Sequence, residues 1–141
     1  MTDFPALLAL LAQSEIEYII VGGAAATAHG SARLTVDLDV VYRRTPGNIE
    51  RIAGGFASHH PYLRGAPPGL PFRWDVATIT SGLNFTLTTD LGPIDFLGEI
   101  PGGTYDTLLS DTEPITIFGI ECRCLMLERL IQVKRAAGRV K

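Results

Sequence analysis

Residues 18–42 constrain the fold more than any other part of the chain. They begin with an apolar run typical of a buried strand, pass through Gly22 and Gly23 into a small-residue segment, and end in a second apolar run. That second run carries Asp37 and Asp39. Because successive side chains of a strand point to opposite faces, both carboxylates are expected on one face and the neighbouring apolar side chains on the other.

Two ionised carboxylates one pleat apart repel each other, and strand interiors disfavour aspartate. A divalent cation explains the pair, because carboxylate oxygens completed by water and substrate phosphates suit Mg²⁺ or Mn²⁺. Gly22 and Gly23 precede a predicted helix over residues 24–29, where backbone N–H groups could approach a phosphate without Cβ interference. Each motif has an ordinary alternative: Gly-Gly is often a tight turn, and Asp-x-Asp is often surface or capping chemistry.

The run VGGAAATAHGSARLTVDLDVV, residues 21–41, resembles a known signature. In the DNA polymerase β-like nucleotidyltransferase superfamily, Gly-Gly or Gly-Ser is followed by Asp-x-Asp on a strand. The residue pattern here is particularly similar to that of minimal bacterial AbiEii-type nucleotidyltransferases. The resemblance implies a third acidic residue on a nearby strand, for which Asp95 in GPIDFLGEI is the candidate. It also implies an α+β fold with a mixed β-sheet and helices packed on one face.

The resemblance assigns a role to each of these residues. Asp37, Asp39 and Asp95 would be the catalytic and metal-binding carboxylates, with Asp95 a candidate general base. Gly22 and Gly23 would hold the triphosphate of an NTP substrate through backbone N–H groups.

Three more residues are candidates for contacting the nucleotide. Arg33 and Thr35 belong to the R-x-T-x-D motif that ends at Asp37. Lys134 lies in a sequence context similar to that of the helical lysine of these families. The alternatives are an exposed loop cation for Arg33, the start of a strand for Thr35 and a solvated helix lysine for Lys134.

Length and composition predict one compact domain over residues 1–141. The chain is 46% hydrophobic and 19% charged, and no run approaches the roughly 18 to 20 apolar residues of a membrane span. We therefore expect no membrane association, no signal peptide and a cytoplasmic location. Cys122 and Cys124 are expected to be reduced structural cysteines. The net charge of −3 disfavours general nucleic-acid binding, although six of the 12 basic residues follow Cys122 and form a cationic end.

The remaining periodicity predicts a mixed set of elements. The expected helices cover residues 3–14, 24–29, 48–58, 105–110 and 125–137, and the expected strands cover 15–21, 35–43, 84–89 and 94–99. Residues 115–124 are expected to form a further strand or a hairpin around Gly119. Residues 59–74 are predicted to be an irregular loop. Several polar or aromatic side chains are expected to be structural rather than functional: Asp90 in a hairpin turn, the histidines His29, His59 and His60, and Phe72 and Trp74, which could otherwise stack on a base.

These patterns predict a Mg²⁺-dependent nucleotidyltransferase that moves a nucleoside monophosphate from an NTP to a hydroxyl on RNA, protein or a small molecule. A toxin–antitoxin role is included in that prediction. The alternative is a catalytically inactive protein of the same fold that binds a nucleotide or a protein. In a purely structural module the carboxylates would be coincidental. Because many relatives carry a further helical domain, the acceptor site is expected to involve a second copy of the chain or a partner protein.

Overall fold

The computed structural model describes residues 2–28 and 37–138, with the side chains of all of them except residues 26–28 and 137–138. The described residues form α-helices, β-strands and short 3₁₀ turns. The helices are α1 Phe4–Gln13, α2 Gly22–Ala28, α3 Pro46–Phe56, α4 Val76–Ser81, α5 Tyr105–Leu108 and α6 Leu127–Gly138. The strands are β1 Tyr18–Val21, β2 Leu38–Tyr42, β3 Tyr62–Leu63, β4 Asn84–Thr88, β5 Ile94–Leu97, β6 Glu99–Ile100, β7 Gly103–Thr104, β8 Thr112–Ile117 and β9 Ile120–Leu125.

Seven of these strands form one mixed sheet in the order β3-β4-β5-β2-β1-β9-β8. β2 pairs in parallel with β5, and β1 pairs in parallel with β9, whereas the other neighbours are antiparallel. β6 and β7 form a separate two-stranded ribbon. The predicted class, an α+β domain built on a mixed sheet, is therefore confirmed.

Local sequence signals account for the first helix. The Asp3 side chain accepts a hydrogen bond from the Ala6 N–H at 3.1 Å, which caps α1 one turn before its apolar stripe. Leu7, Leu8 and Leu11 of that stripe are buried. The predicted helix over residues 3–14 is confirmed to within a residue at each end.

The core on one face of the sheet is built from large aromatic and aliphatic side chains. Phe96 of β5 lies at its centre, with its ring in edge contact with Phe56 at 5.1 Å and with Tyr42 at 6.1 Å between centroids. Trp74 packs on Phe96 and Phe85, and its indole N–H donates to the Ile52 carbonyl at 3.4 Å. Trp74 is thus a core anchor, as expected, and a base cannot stack on it.

The structure departs from the predicted elements in several places, of which three concern the segments around β3, α4 and β1. Residues 62–63 form β3 within the segment predicted to be an irregular loop, and they pair with β4. α4 was missed, because its β-branched residues favour strands, but the Asp75 side chain caps it by accepting from the Thr78 N–H at 2.8 Å. β1 begins at Tyr18 rather than at residue 15, because Glu15 takes a left-handed backbone with φ of 56°.

Among the described residues, no helix has both the length and the apolar character that crossing a membrane requires. The C-terminal basic residues are partly used in structural contacts: the Arg129 side chain contacts the Asp111 carboxylate at 3.3 Å.

Asn48 is the fully buried polar side chain at the start of α3. Its amide group accepts from the Glu17 N–H at 2.7 Å and donates to the carbonyls of Glu17 at 3.0 Å and Arg43 at 2.7 Å. These bonds join α3 to the chain segments just before β1 and just after β2. Asn48 therefore hydrogen-bonds three backbone groups in a part-buried setting.

We expect Asn48→Ala to lower the free energy of unfolding by about 3 kcal/mol, because the Glu17 N–H and the Arg43 carbonyl lose their bonds to the amide, while the Glu17 carbonyl keeps only the Arg43 N–H at 3.2 Å. Urea denaturation measures the change, with Gln13→Ala at the exposed end of α1 as the control. A loss below about 1 kcal/mol would contradict this account of the α3 anchor.

Candidate active site

Two neighbouring parallel strands place Asp39 and Asp95 side by side. Asp39 of β2 and Asp95 of β5 are register partners, and so are the flanking pairs Leu38 with Ile94 and Val40 with Phe96. The flanking side chains are fully or almost fully buried, whereas the two aspartates are half-buried. The alternation expected from the sequence thus exists: the apolar side chains enter the core and the carboxylates emerge together on the opposite face.

Asp37 directly precedes β2 instead of lying within it, because the strand begins at Leu38. It nevertheless belongs to the same cluster. The Arg64 guanidinium contacts both Asp37 and Asp95: its Nη2 donates to Asp95 Oδ1 at 2.7 Å, and its Nη1 lies 3.9 Å from Asp37 Oδ2. The side chains of Asp37 and Asp95 are 43% and 20% exposed, so a solute can reach the cluster.

The glycine turn after β1 abuts this cluster. Gly22 has a φ of +68°, and a Cβ added to it would lie 2.4 Å from Asp39 Oδ2 and 3.2 Å from Asp39 Cγ. Only glycine fits here, for two reasons: the left-handed backbone, and the carboxylate occupying the space of a side chain. α2 begins at Gly22 itself and includes Gly23, so the helix predicted from residue 24 starts two residues earlier.

The acid cluster has an unusual charge state. Burial, the charge of Asp95 with the hydrogen bond it shares, and the charge of Asp37 raise the pKa of Asp39 to about 7, while Arg64 opposes the shift. Asp39 Oδ1 is buried and has no hydrogen-bond partner among the described residues. A buried carboxylate oxygen without a donor is costly in a metal-free protein, and a bound cation would satisfy it.

The metal-free protein is expected to lose stability as the pH rises from about 5 to 8. In the folded protein Asp39 keeps its proton up to about pH 7, whereas in the unfolded chain it releases it near its ordinary value of 3.8. Folding therefore binds a proton in this window, so stability falls as pH rises through it and levels off above it. Because solvent screens a partly exposed group, we expect a fall in Tm of only about 5 °C.

Thermal melts in EDTA across this pH range measure the effect. Asp39→Asn should give a flatter profile than the wild type, because asparagine does not titrate. A wild-type Tm that rises between pH 5 and 8 would contradict the assigned charge state.

The donor set fits a divalent cation held by two carboxylates together with outside ligands. Over residues 2–28 and 37–138, no group of three or more His, Cys, Asp or Glu side chains is arranged as a metal site by itself. Asp37 and Asp39, with the unpartnered Asp39 oxygen, still offer the paired carboxylate oxygens that Mg²⁺ takes when waters and substrate phosphates complete its shell. Asp95 is engaged by Arg64.

Comparison with known proteins identifies the fold. No protein-family model matches the sequence, and no curated protein matches it. Among solved structures, the chain is similar to a protein of Thermotoga maritima proposed to be a nucleotidyltransferase, with a TM-score of 0.64 over 99% of this chain and 89% of the other at 16% sequence identity. The chain has a nucleotidyltransferase fold. The resemblance to the AbiEii-type branch stays a prediction.

Within this nucleotidyltransferase fold, the other candidate nucleotide contacts are placed as follows. Arg33 and Thr35 lie outside the described residues. Lys134 is exposed on α6, and among the described residues the cation that contacts the aspartates is Arg64 instead. The roles of Arg33, Thr35 and Lys134 stay predictions.

Arg64 is the site residue that sequence reasoning missed. It follows the two-residue strand β3 in a segment rich in proline and glycine, where no periodicity marks a strand. The sequence marks Arg64 only as one arginine after the two apolar residues of β3. Such a pattern is too common in proteins to indicate a functional residue.

The side chains expected to be structural are placed as follows where the structure describes them. Asp90 lies in the β4–β5 turn and contacts the ring nitrogen Nδ1 of His59 at 2.8 Å and of His60 at 3.4 Å. These bonds hold the pKa of Asp90 below its usual value, the His59 bond being the larger cause. Cys122 and Cys124 are buried thiols. His29 lies outside the described residues.

Proposed function

We propose that this chain is a nucleotidyltransferase that moves a nucleoside monophosphate from an NTP to a hydroxyl group with Mg²⁺ or Mn²⁺ as cofactor. One observation carries the proposal. The glycine turn lies directly against the carboxylate of Asp39, which stands beside Asp95 on the neighbouring strand. A triphosphate bound at Gly22 and Gly23 would thereby lie next to the acids.

The chain's own groups divide the work. Asp37 and Asp39 would hold the divalent cation, which when bound supplies charge neutralisation for the triphosphate and acidifies the acceptor hydroxyl. Gly22 and Gly23 bind the triphosphate by backbone N–H groups. Asp95 takes the proton from the acceptor hydroxyl, the new oxygen–phosphorus bond forms at the α-phosphate, and the bond to pyrophosphate breaks.

The acceptor belongs to one of three classes: RNA, protein or a small molecule. The AbiEii-like phrasing of residues 21–41 supports a role in a toxin–antitoxin pair, acting in the cytoplasm with a second copy or a partner protein completing the acceptor site.

The decisive experiment incubates the protein with each labelled NTP and Mg²⁺ against total RNA, lysate protein and a small-molecule pool of aminoglycosides and lincosamides. We expect label to enter one pool, and Asp37→Asn to abolish this transfer and the calorimetric signal of NTP binding. The matched control is Asp106→Asn. Asp106 is an exposed aspartate that also pairs with an arginine, Arg43, but this pair lies at the C-terminal end of β2, away from the acid cluster. NTP affinity that is unchanged in Asp37→Asn would refute the metal assignment.

A second candidate function rests on the same cluster. The 2.7 Å contact of Arg64 with Asp95 is one that a structural ion pair would also make, and it favours a catalytically inactive protein that binds a nucleotide or a protein partner. Such a protein would bind NTP in calorimetry yet leave every acceptor pool without label.

A further inference from the structure

Arg64 is held by both its backbone and its side chain. Its backbone N–H donates to the Thr86 carbonyl at 2.9 Å, and its Nη2 donates to the Leu87 carbonyl at 2.9 Å as well as to Asp95. Both carbonyls belong to β4, the strand between β3 and β5. Three neighbouring strands therefore set the position of the guanidinium, which is only 27% exposed.

Arg64 offsets part of the negative charge of the cluster. Among the described residues it places one positive charge within 4 Å of two of the three aspartates, Asp37 and Asp95. A second divalent cation bound through Asp95 would have to displace a charge-assisted hydrogen bond and approach a fixed positive charge.

We propose that Arg64 takes the electrostatic place of a second divalent cation: it neutralises and orients Asp95 and restricts the site to one divalent cation at Asp37 and Asp39. This inference rests on the proposed function only in taking that cation to be divalent. Arg64 is then a positioning residue, which acts through Asp95 and presents its carboxylate to the acceptor hydroxyl.

The test replaces the charge and measures cation binding without turnover. Mn²⁺ is titrated at pH 8.5, above the raised pKa of Asp39, and free Mn²⁺ is followed by electron paramagnetic resonance. We expect Arg64→Gln to bind Mn²⁺ at least about tenfold more tightly than the wild type, since a neighbouring arginine changes the affinity of a carboxylate for a proton by about one to three powers of ten. With a non-hydrolysable α,β-methylene NTP, the wild type should bind one Mn²⁺ and Arg64→Gln two.

Two variants separate charge from structure. Arg64→Lys keeps the positive charge and should retain the wild-type affinity and stoichiometry. Arg73→Gln removes an exposed arginine from the same segment and should also match the wild type. Circular dichroism and thermal melts of each variant verify that the fold is intact.

The outcomes are distinct. A Mn²⁺ affinity of Arg64→Gln within about threefold of the wild type, a tighter site in Arg64→Lys, or two Mn²⁺ ions in the wild type would overturn the inference. Label transfer by the wild type together with any of these results would remove the role of Arg64 and leave the proposed function standing. The expected Mn²⁺ results without any label transfer would support the role of Arg64 and refute the proposed nucleotidyl transfer.

Discussion

Replacing Asp39 by asparagine is expected to lower nucleotidyl transfer by at least about a hundredfold while raising the thermal stability of the metal-free protein. Asparagine keeps the size of the side chain but removes the charge that would bind the cation beside the glycine turn. The stability gain follows from the same contacts: above pH 7, ionised Asp39 is buried beside Asp95 and near Asp37, and the variant removes this repulsion.

The two measurements are made on the same preparations. Transfer of labelled NTP is followed at pH 8 with Mg²⁺, and Tm is measured at pH 8 in EDTA, with Asp106→Asn as the exposed carboxylate control. We expect the Tm of Asp39→Asn to exceed that of the wild type by a few degrees, or about 1 kcal/mol. A lower Tm would show that the carboxylate stabilises the fold instead of serving a ligand, and unchanged transfer would remove Asp39 from the reaction.

Replacing Gly22 by alanine is expected to abolish transfer and to lower the free energy of unfolding by about 2–3 kcal/mol. The left-handed backbone alone costs an alanine roughly 1 kcal/mol. The added Cβ would also lie 2.4 Å from Asp39 Oδ2, so the carboxylate or the turn has to move. Either movement separates the turn that would bind the triphosphate from the acid that would hold the cation.

Gly119→Ala is the matched control for backbone strain. Gly119 has a φ of +77° in the β8–β9 hairpin, and a Cβ added there would meet no atom within 4 Å. We expect this variant to lose only the strain contribution, about 1 kcal/mol, and to keep its transfer activity. Equal losses of stability in the two variants, measured by urea denaturation, would show that the contact with Asp39 carries no energetic weight.

Much of the fold could be predicted because its signals are local. α1 has its capping Asp3 directly before its apolar stripe, and the β4–β5 hairpin has its turn residues between two alternating runs. α4 could not be predicted in this way, because residues 76–81 contain valine, isoleucine and threonine, and their tendency to form strands is overcome only by the Asp75 cap and the burial of Ile79. The secondary-structure propensity of a segment predicts its conformation poorly where tertiary packing determines that conformation.

Some residues of the candidate site could likewise be predicted from local sequence signals, and others could not. The common face of Asp37 and Asp39 could be inferred from the alternation of apolar and acidic residues, although Asp37 was expected within the strand and in fact precedes it. Asp95 required more, because its selection depended on a resemblance and on an acid within an apolar run, while the register that brings it beside Asp39 is a property of β2–β5 pairing. Arg64 could not be inferred, since β3 is only two residues long.

By itself the sequence determined the pieces of this protein: a mixed set of helices and strands, a glycine turn after one buried strand, and a pair of acids that belong with the next strand. These follow from the period of strands and the backbone freedom of glycine, which act over a few residues. Only the tertiary structure decided that Gly22 touches Asp39, that Asp95 stands beside it, and that Arg64 reaches the acids from the edge of the sheet. The reason is that strand order and register are set by burial across the whole sheet, where segments distant in the chain compete for partners.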